Sequence, residues 1–401
     1  MTDRSFVVRS KWSSRWRRID SGAVRLRAAA VMMLATLGSF FSAWLIENLA
    51  HLHTDLVVSA VVLGLTLGRV HRAPGASSGL LALAVVPVAT AGASVVGTLM
   101  GRHVVVGDSL FALALTAAIW VRRFGPVYTR AGTLATVPFI AQLVTPAPPV
   151  LRPSHVMWSA AVAVVAVVWV LLAQLVGRAL RLLPRPAPPA AAPSPKSSAV
   201  ARQNARPRVS RISVSDRMAL QMGLGLGLAF VLGHLIFGVH WPWMVLTAYI
   251  VASGNRGRGD VVYKGGLRIA GAVVGTVAAT LMANTFSAGD KWAVVAIFAA
   301  LAVATWLRDL NYAYWAGGVT AALAFLYGYF GETGSGLLHT RLEGILGGAA
   351  VAIAAAWVVL PIKTSSVLRR RMADALGELS DHGGAQSPSE HRGTYPADAG
   401  R

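Results

Sequence analysis

The sequence predicts an all-α polytopic membrane protein of about twelve transmembrane helices arranged as two six-helix pseudo-repeats. Three observations carry that prediction. Of the 401 residues, 55% are hydrophobic and only 13% charged, about half the charged share of a soluble chain, and the mean hydropathy is +0.57. The apolar residues gather in runs that approach the ~20 residues a spanning helix needs. The cations collect in alternate connections between those runs, which is the positive-inside bias of membrane proteins.

The first six runs lie near 28–46, 56–70, 79–100, 104–121, 126–144 and 156–176. The second six lie near 218–238, 241–253, 264–283, 291–307, 312–330 and 342–361. Runs 56–70 and 241–253 are short for a full span, so they read as tilted, broken or partly interfacial. Eight Lys/Arg precede the first run, within a basic cytoplasmic segment 1–27. That run is long and has no convincing cleavage site, so it reads as a spanning helix and not as a cleaved signal.

With the N-terminus inside, the cytoplasmic pieces hold Arg69, Arg72, Arg122, Arg123, the 177–217 stretch, Arg256, Arg258, Lys264, Arg308 and the tail. The outer pieces hold only Arg102, Arg152, Lys291 and Arg341. Both termini are therefore expected in the cytoplasm. The net charge of +21 fits this distribution, and no nucleic-acid partner is expected. The first membrane repeat is assigned to 28–180 and the second to 217–362. Between them, 181–216 is rich in Pro, Ala and Arg and buries no core, so it is expected to be a cytoplasmic linker. The tail 363–401 is expected to be cytoplasmic and mostly disordered.

Internal repetition supports two sets. WVRRFGPVYTRAGTLATVPFI, from Trp120, aligns without gaps to WLRDLNYAYWAGGVTAALAFL, from Trp306. Six runs separate the two equivalent points, so the repeat is parallel, an arrangement known among transporters. Small residues at GxxxG spacing, Gly97/Gly101, Gly223/Gly227, Gly271/Gly275 and Gly344/Gly348, read first as close helix packing, and otherwise as a substrate path or a homo-oligomer face.

Chemistry is sparse. The chain has no cysteine, which removes disulfides, thiolate metal sites and cysteine catalysis. GLGLG at Gly223 follows no strand and is no dinucleotide motif, no Walker motif occurs, and RGD at Arg258 is a chance tripeptide. His51, His53, His234 and His240 sit near one face but lack carboxylates at ligand spacing, so no metal is expected. No cofactor is expected either, and the chain does not read as an enzyme.

Candidate binding groups are cationic. Arg268 follows Lys264 by four residues on one helix face. Its plainer role is snorkelling to the inner headgroups. Its sharper role is an anion-attracting mouth shared with Lys264, Arg256, Arg258 and, from the first set, Arg122, Arg123 and Arg130, because a guanidinium suits bidentate carboxylate binding. Glu343, an acid at the edge of a span, is the candidate for proton coupling, although an anion at a helix N-terminus also has a plain dipole explanation. Arg308 and Asp309 read as a local surface pair. Trp44, Trp120, Trp241, Trp243, Trp292, Trp306 and Trp357 cluster near span ends as an interfacial belt would. Trp315, Tyr312, Tyr314, Tyr327 and Tyr329 read as belt and packing or as a wall for an aromatic substrate.

YIVASGNRGRGDVVYKGGLRIAGAVVGT, from Tyr249, resembles the loop-and-helix motif of fusaric acid resistance-like (FUSC) membrane transporters, in which a basic residue, an Arg, a Gly and a GT pair punctuate one helix. Those positions fall on Lys264, Arg268, Gly271, Gly275 and Thr276. HTRLEGILGGAAVAIAAAWVVLP resembles the family's last helix, with Arg341, Glu343, Gly347 and Pro361 in place and Gly344 where Thr or Ser is usual. The resemblance implies helix packing at Gly271, Gly275, Thr276 and Gly347, and it implies transport, with efflux of aromatic carboxylic acids in relatives. The expected function is therefore proton-driven efflux of a small organic anion across a bacterial plasma membrane. A passive anion channel, or a non-transporting scaffold that binds anionic lipid or a protein, is the alternative.

Overall fold

A computed structural model describes residues 23–50, 55–70, 76–145, 152–183, 213–254, 257–282, 286–331 and 335–359. Most of the linker, the N-terminal segment, the tail, Arg256, His51 and His53 lie outside the described residues. Within them there is no strand. The first six helices are α1 (Val24–Ala50), α2 (Asp55–Val70), α3 (Ala76–Arg102), α4 (Val104–Trp120), α5 (Pro126–Gln142) and α6 (Pro153–Ala179). The second six are α7 (Val214–Phe237), α8 (Pro242–Ala252), α9 (Arg258–Met282), α10 (Lys291–Leu307), α11 (Tyr312–Tyr329) and α12 (Ser335–Val358). Short 3-10 turns at Val121–Phe124 and Gly238–His240 lead into α5 and α8.

Local chemistry starts these helices. Pro126, Pro153 and Pro242 open α5, α6 and α8, where the missing N–H costs no hydrogen bond. Ser213 and Asp216 form a reciprocal capping box on α7. The side chains of Asp290 and Asn311 accept from Trp292 N and Ala313 N at the starts of α10 and α11. Inside the helices, Thr36, Ser39, Thr90 and Thr98 donate to carbonyls four residues back, which satisfies hydroxyls that water does not reach.

Among the described residues seven helices are long and apolar enough to cross a membrane: α1, α3, α4, α6, α7, α9 and the 339–358 part of α12. Helices α2, α8 and α10 are apolar but shorter. Helix α8 has 11 residues, about 16 Å of rise, roughly half a bilayer core. It is buried on every side, with Trp243 through Tyr249 all inaccessible.

Within the first set, α6 packs on α1, α2 and α3 through Val162, Ala166, Val170 and Ala173. Within the second, α12 packs on α7, α8 and α9, with Ile345, Ala349, Ala352 and Ala356 buried along it. The two sets meet where α4 packs on α7 and where α10 packs on α1. The α1–α10 seam is apolar, with the rings of Phe40 and Phe298 edge to face at 5.0 Å.

Two boundaries differ from the sequence expectation in a way that matters. Helix α9 begins at Arg258, six residues before the predicted 264, and α12 at Ser335, seven before 342. The polar stretch 258–263 reads as loop, yet Val261 is buried against Val251, Ala349 and Ala352, so tertiary packing overrides its poor helix propensity. Arg268 and Arg341 are carried inside as a result.

Candidate functional site

Arg268 and Arg341 are buried, at 2% and 1% exposure. This corrects both sequence placements, the snorkelling site for Arg268 and the outer connection for Arg341. Arg268 stands ten residues into α9, about 15 Å from its start, with its head group enclosed by the bundle. Its Nη1 donates one long bond, 3.4 Å, to the Ala316 carbonyl on α11, and its Nε has no partner. The guanidinium of Arg341 lies 4.3 Å from the centroid of the Trp243 ring, while Nε, Nη1 and Nη2 all lack a hydrogen-bond partner among the described residues. The two cations stand within electrostatic reach of each other.

Close helix contacts build this place. Gly271 and Gly275 of α9 sit against the backbone of α11 at Ala313 and Gly317, and Gly348 of α12 against the Met244 carbonyl of α8. A Cβ at any of these would strike backbone. Gly347 is looser, since a Cβ there meets Met244 and Phe237 at ordinary contact distance. Thr276 is half-buried beside Gly275, and its hydroxyl finds no partner. Aromatic rings line the cations. Trp243 packs edge to face on Tyr327 at 5.4 Å, and Tyr312 lies within electrostatic reach of Arg268 and Arg308.

Cations continue toward the end where α7 and α9 begin. Lys264 Nζ donates to the Ser253 carbonyl at the end of α8, 2.6 Å away, and stands 5.8 Å from the Tyr312 centroid. Arg308 lies 4.7 Å from the Trp315 centroid. Burial lowers its guanidinium to about 10, against the pull of Tyr312 and Asp309, so it stays charged at neutral pH. At the same end a cavity opens between the two sets, lined by Arg122, Gln221, Ser253, Gly257, Arg258 and Ala355 among others. Arg122 and Arg258, far apart in sequence, thus share one mouth. Arg123 instead pairs with Asp216 at 3.0 Å, and Arg258 also stands 5.0 Å over Trp357.

The remaining predicted residues lie elsewhere. Arg130 is exposed on α5, and Glu343 is exposed on α12, two residues from Arg341 and hence on another face. Among the described residues the buried acid is Asp108, in the first turns of α4, at 8% exposure. Its Oδ2 is 2.8 Å from Nε2 of His234 on α7, and its Oδ1 has no partner. A single acid at the start of the run VVVGDSLFALAL resembles a helix-start anion, and its partner is 126 residues away, so sequence reading passed over it. Among the described residues no group of three His, Asp or Glu could hold a metal.

Comparison with curated proteins and with solved structures finds no match for this chain. Residues 224–355, which run from α7 into α12 and take in Trp243, Arg268 and Arg341, match the family model described as fusaric acid resistance protein-like. That segment is similar to the fusaric acid resistance protein-like family, which its loop-and-helix motif resembles.

Proposed function

We propose that the chain is a multi-pass bacterial inner-membrane transporter that exports small organic anions, aromatic carboxylic acids among them, driven by the proton gradient. The observation that carries this reading is Arg341, a buried guanidinium stacked on Trp243 with three unpartnered nitrogens, beside a second buried guanidinium at Arg268. One arginine at the centre of a spanning helix costs about 2.5–3.5 kcal/mol on insertion scales. Two like charges within reach cost more still unless an anion compensates them. A carboxylate matches the planar donor fork, and Trp243 and Tyr327 offer faces to an aromatic ring. The mouth at Arg122 and Arg258 collects the anion, and Lys264 and Arg308 mark its way inward.

The repeated helix pairing supports two parallel six-helix repeats. Pairs α1–α2, α1–α6, α3–α6, α3–α5, α2–α6 and α4–α5 recur as α7–α8, α7–α12, α9–α12, α9–α11, α8–α12 and α10–α11. Gly132 packs on Ala118 as Gly318 packs on Ala304, at the offset of 186 that aligns Trp120 with Trp306. The cation distribution favours cytoplasmic termini. Lipids are its surroundings, and a homo-oligomer is compatible with its exposed apolar faces. No catalytic step or cofactor enters this reading.

The test is flux of labelled benzoate and an aliphatic acid of equal charge from proteoliposomes with and without an imposed pH gradient. Gradient-dependent benzoate flux is the expected result. Flux indifferent to the gradient would make the protein a channel, and no flux of any aromatic acid would leave a scaffold.

A further inference from the structure

Asp108 and His234 face each other across the α4–α7 seam, one from each helix set. Their surroundings are apolar. Trp241 lies over the His234 ring at 4.9 Å, and Phe230 packs against Trp241 at 5.4 Å and Phe111 at 5.6 Å. A buried carboxylate in such a place is tolerated only when paired, and here one oxygen is paired and the other is not. The seam related to it, α1 against α10, is apolar.

We propose that Asp108 and His234 form the proton-binding site of this protein, and that Trp241–Pro242–Trp243 links its occupancy to the anion site. With one proton the pair is neutral overall. A second proton, taken from water at Oδ1 of Asp108, the oxygen without a protein partner, leaves a neutral acid beside an imidazolium and a net charge of +1. Loss of that proton restores the neutral pair. The ion pair across the seam therefore weakens and re-forms as the proton binds and leaves. Trp241, which stacks on His234, is two residues from Trp243, which stacks on Arg341, and Pro242 between them restricts the backbone. A shift of one indole is thus passed to the other by a stiff connection two residues long.

Other ionisable groups on the packed elements leave this assignment to the pair. On α3 and the α3–α4 connection, Arg102 and His103 are exposed, and on the turn before α8, His240 is half-buried. On α12, His339 and Glu343 are exposed, and Arg341 is occupied with Trp243. The remaining ionisable groups of α5, α7 and α8 lie toward the other ends of those helices. Glu343, the acid that the sequence favours, is exposed, whereas Asp108 is buried and bridges the two sets.

The inference rests on the transport reading for its coupling role but has a readout of its own. In the purified full-length protein, infrared titration should show a buried carboxyl gaining a proton as pH falls, lost in Asp108→Asn. In His234→Gln the same carboxyl should protonate at higher pH, because removing its partner favours the neutral acid. In proteoliposomes, the ratio of gradient-driven benzoate flux to benzoate exchange should fall about tenfold or more in Asp108→Asn. An unaltered ratio in Asp108→Asn, or a carboxyl signal that survives that substitution, overturns the proposal. If wild-type protein moves no benzoate, the transport reading fails while the infrared titration still decides whether the pair binds a proton. If neither variant folds, absence of any titrating buried carboxyl in the wild type overturns it.

Discussion

The guanidinium of Arg341 stacks 4.3 Å from the ring centroid of Trp243 and donates to no described residue. A planar cation held by an indole face on one side keeps its in-plane donors free. The arrangement suits a ligand that supplies two acceptors in that plane.

Stability and transport should therefore respond oppositely at Arg341. Replacing an uncompensated buried cation with an apolar chain of similar size raises stability by about 1–4 kcal/mol. Arg341→Met is expected to unfold at higher temperature in detergent while benzoate flux falls at least about tenfold. A less stable, fully active variant would show that Arg341 is neither uncompensated nor used.

Arg268 is expected to need its guanidinium. Arg268→Lys should lower export more than it lowers protein level, and Arg268→Gln further, with about 1–3 kcal/mol of anion interaction lost, or roughly five- to a hundredfold in apparent affinity. Flux normalised to folded protein is the measurement, and a lysine variant with wild-type flux would remove Arg268 from the site.

Trp243 should set preference as well as strength. A cation–π contact contributes about 0.5–2 kcal/mol, so Trp243→Leu is expected to weaken benzoate binding roughly two- to thirtyfold and to narrow its advantage over an aliphatic acid. Trp243→Phe, which keeps a ring face, should fall between. Equal loss for both acids would point to a packing defect instead.

The glycines should separate by what faces them. A Cβ at Gly275 meets the Gly317 carbonyl and one at Gly348 the Met244 carbonyl, whereas Gly266 has open space around it. Gly275→Ala and Gly348→Ala should each destabilise by about 1–3 kcal/mol. Gly266→Ala, in the same helix as Gly275, should be neutral or stabilising by up to about 1 kcal/mol. Thermal unfolding of the three variants checks the order.

Orientation follows from the cations. Reporter fusions at residue 200 and after the tail should both give the cytoplasmic signal, and a periplasmic signal at either would invert the assignment.

The all-helical class and the places of the helices were legible because they depend on local quantities, although only seven helices among the described residues are long and apolar enough to span. Run length and the low charge both act within one segment, and predicted bounds such as 126–144 and 291–307 lie within two residues of α5 and α10. Gly271 and Gly275 were readable as packing positions for the same reason, since small-residue spacing is a property of one helix. What tertiary structure alone decided is the fate of the charges. Arg341 reads as an outer-loop cation and Glu343 as the acid at the edge of a span, but the earlier start of α12 takes Arg341 into the bundle and leaves Glu343 exposed. Asp108 acquires meaning only from His234, on a helix of the other set. Burial of a charge depends on which helices surround it, and that information is spread over contacts between distant parts of the chain, such as Arg341 with Trp243 and Asp108 with His234.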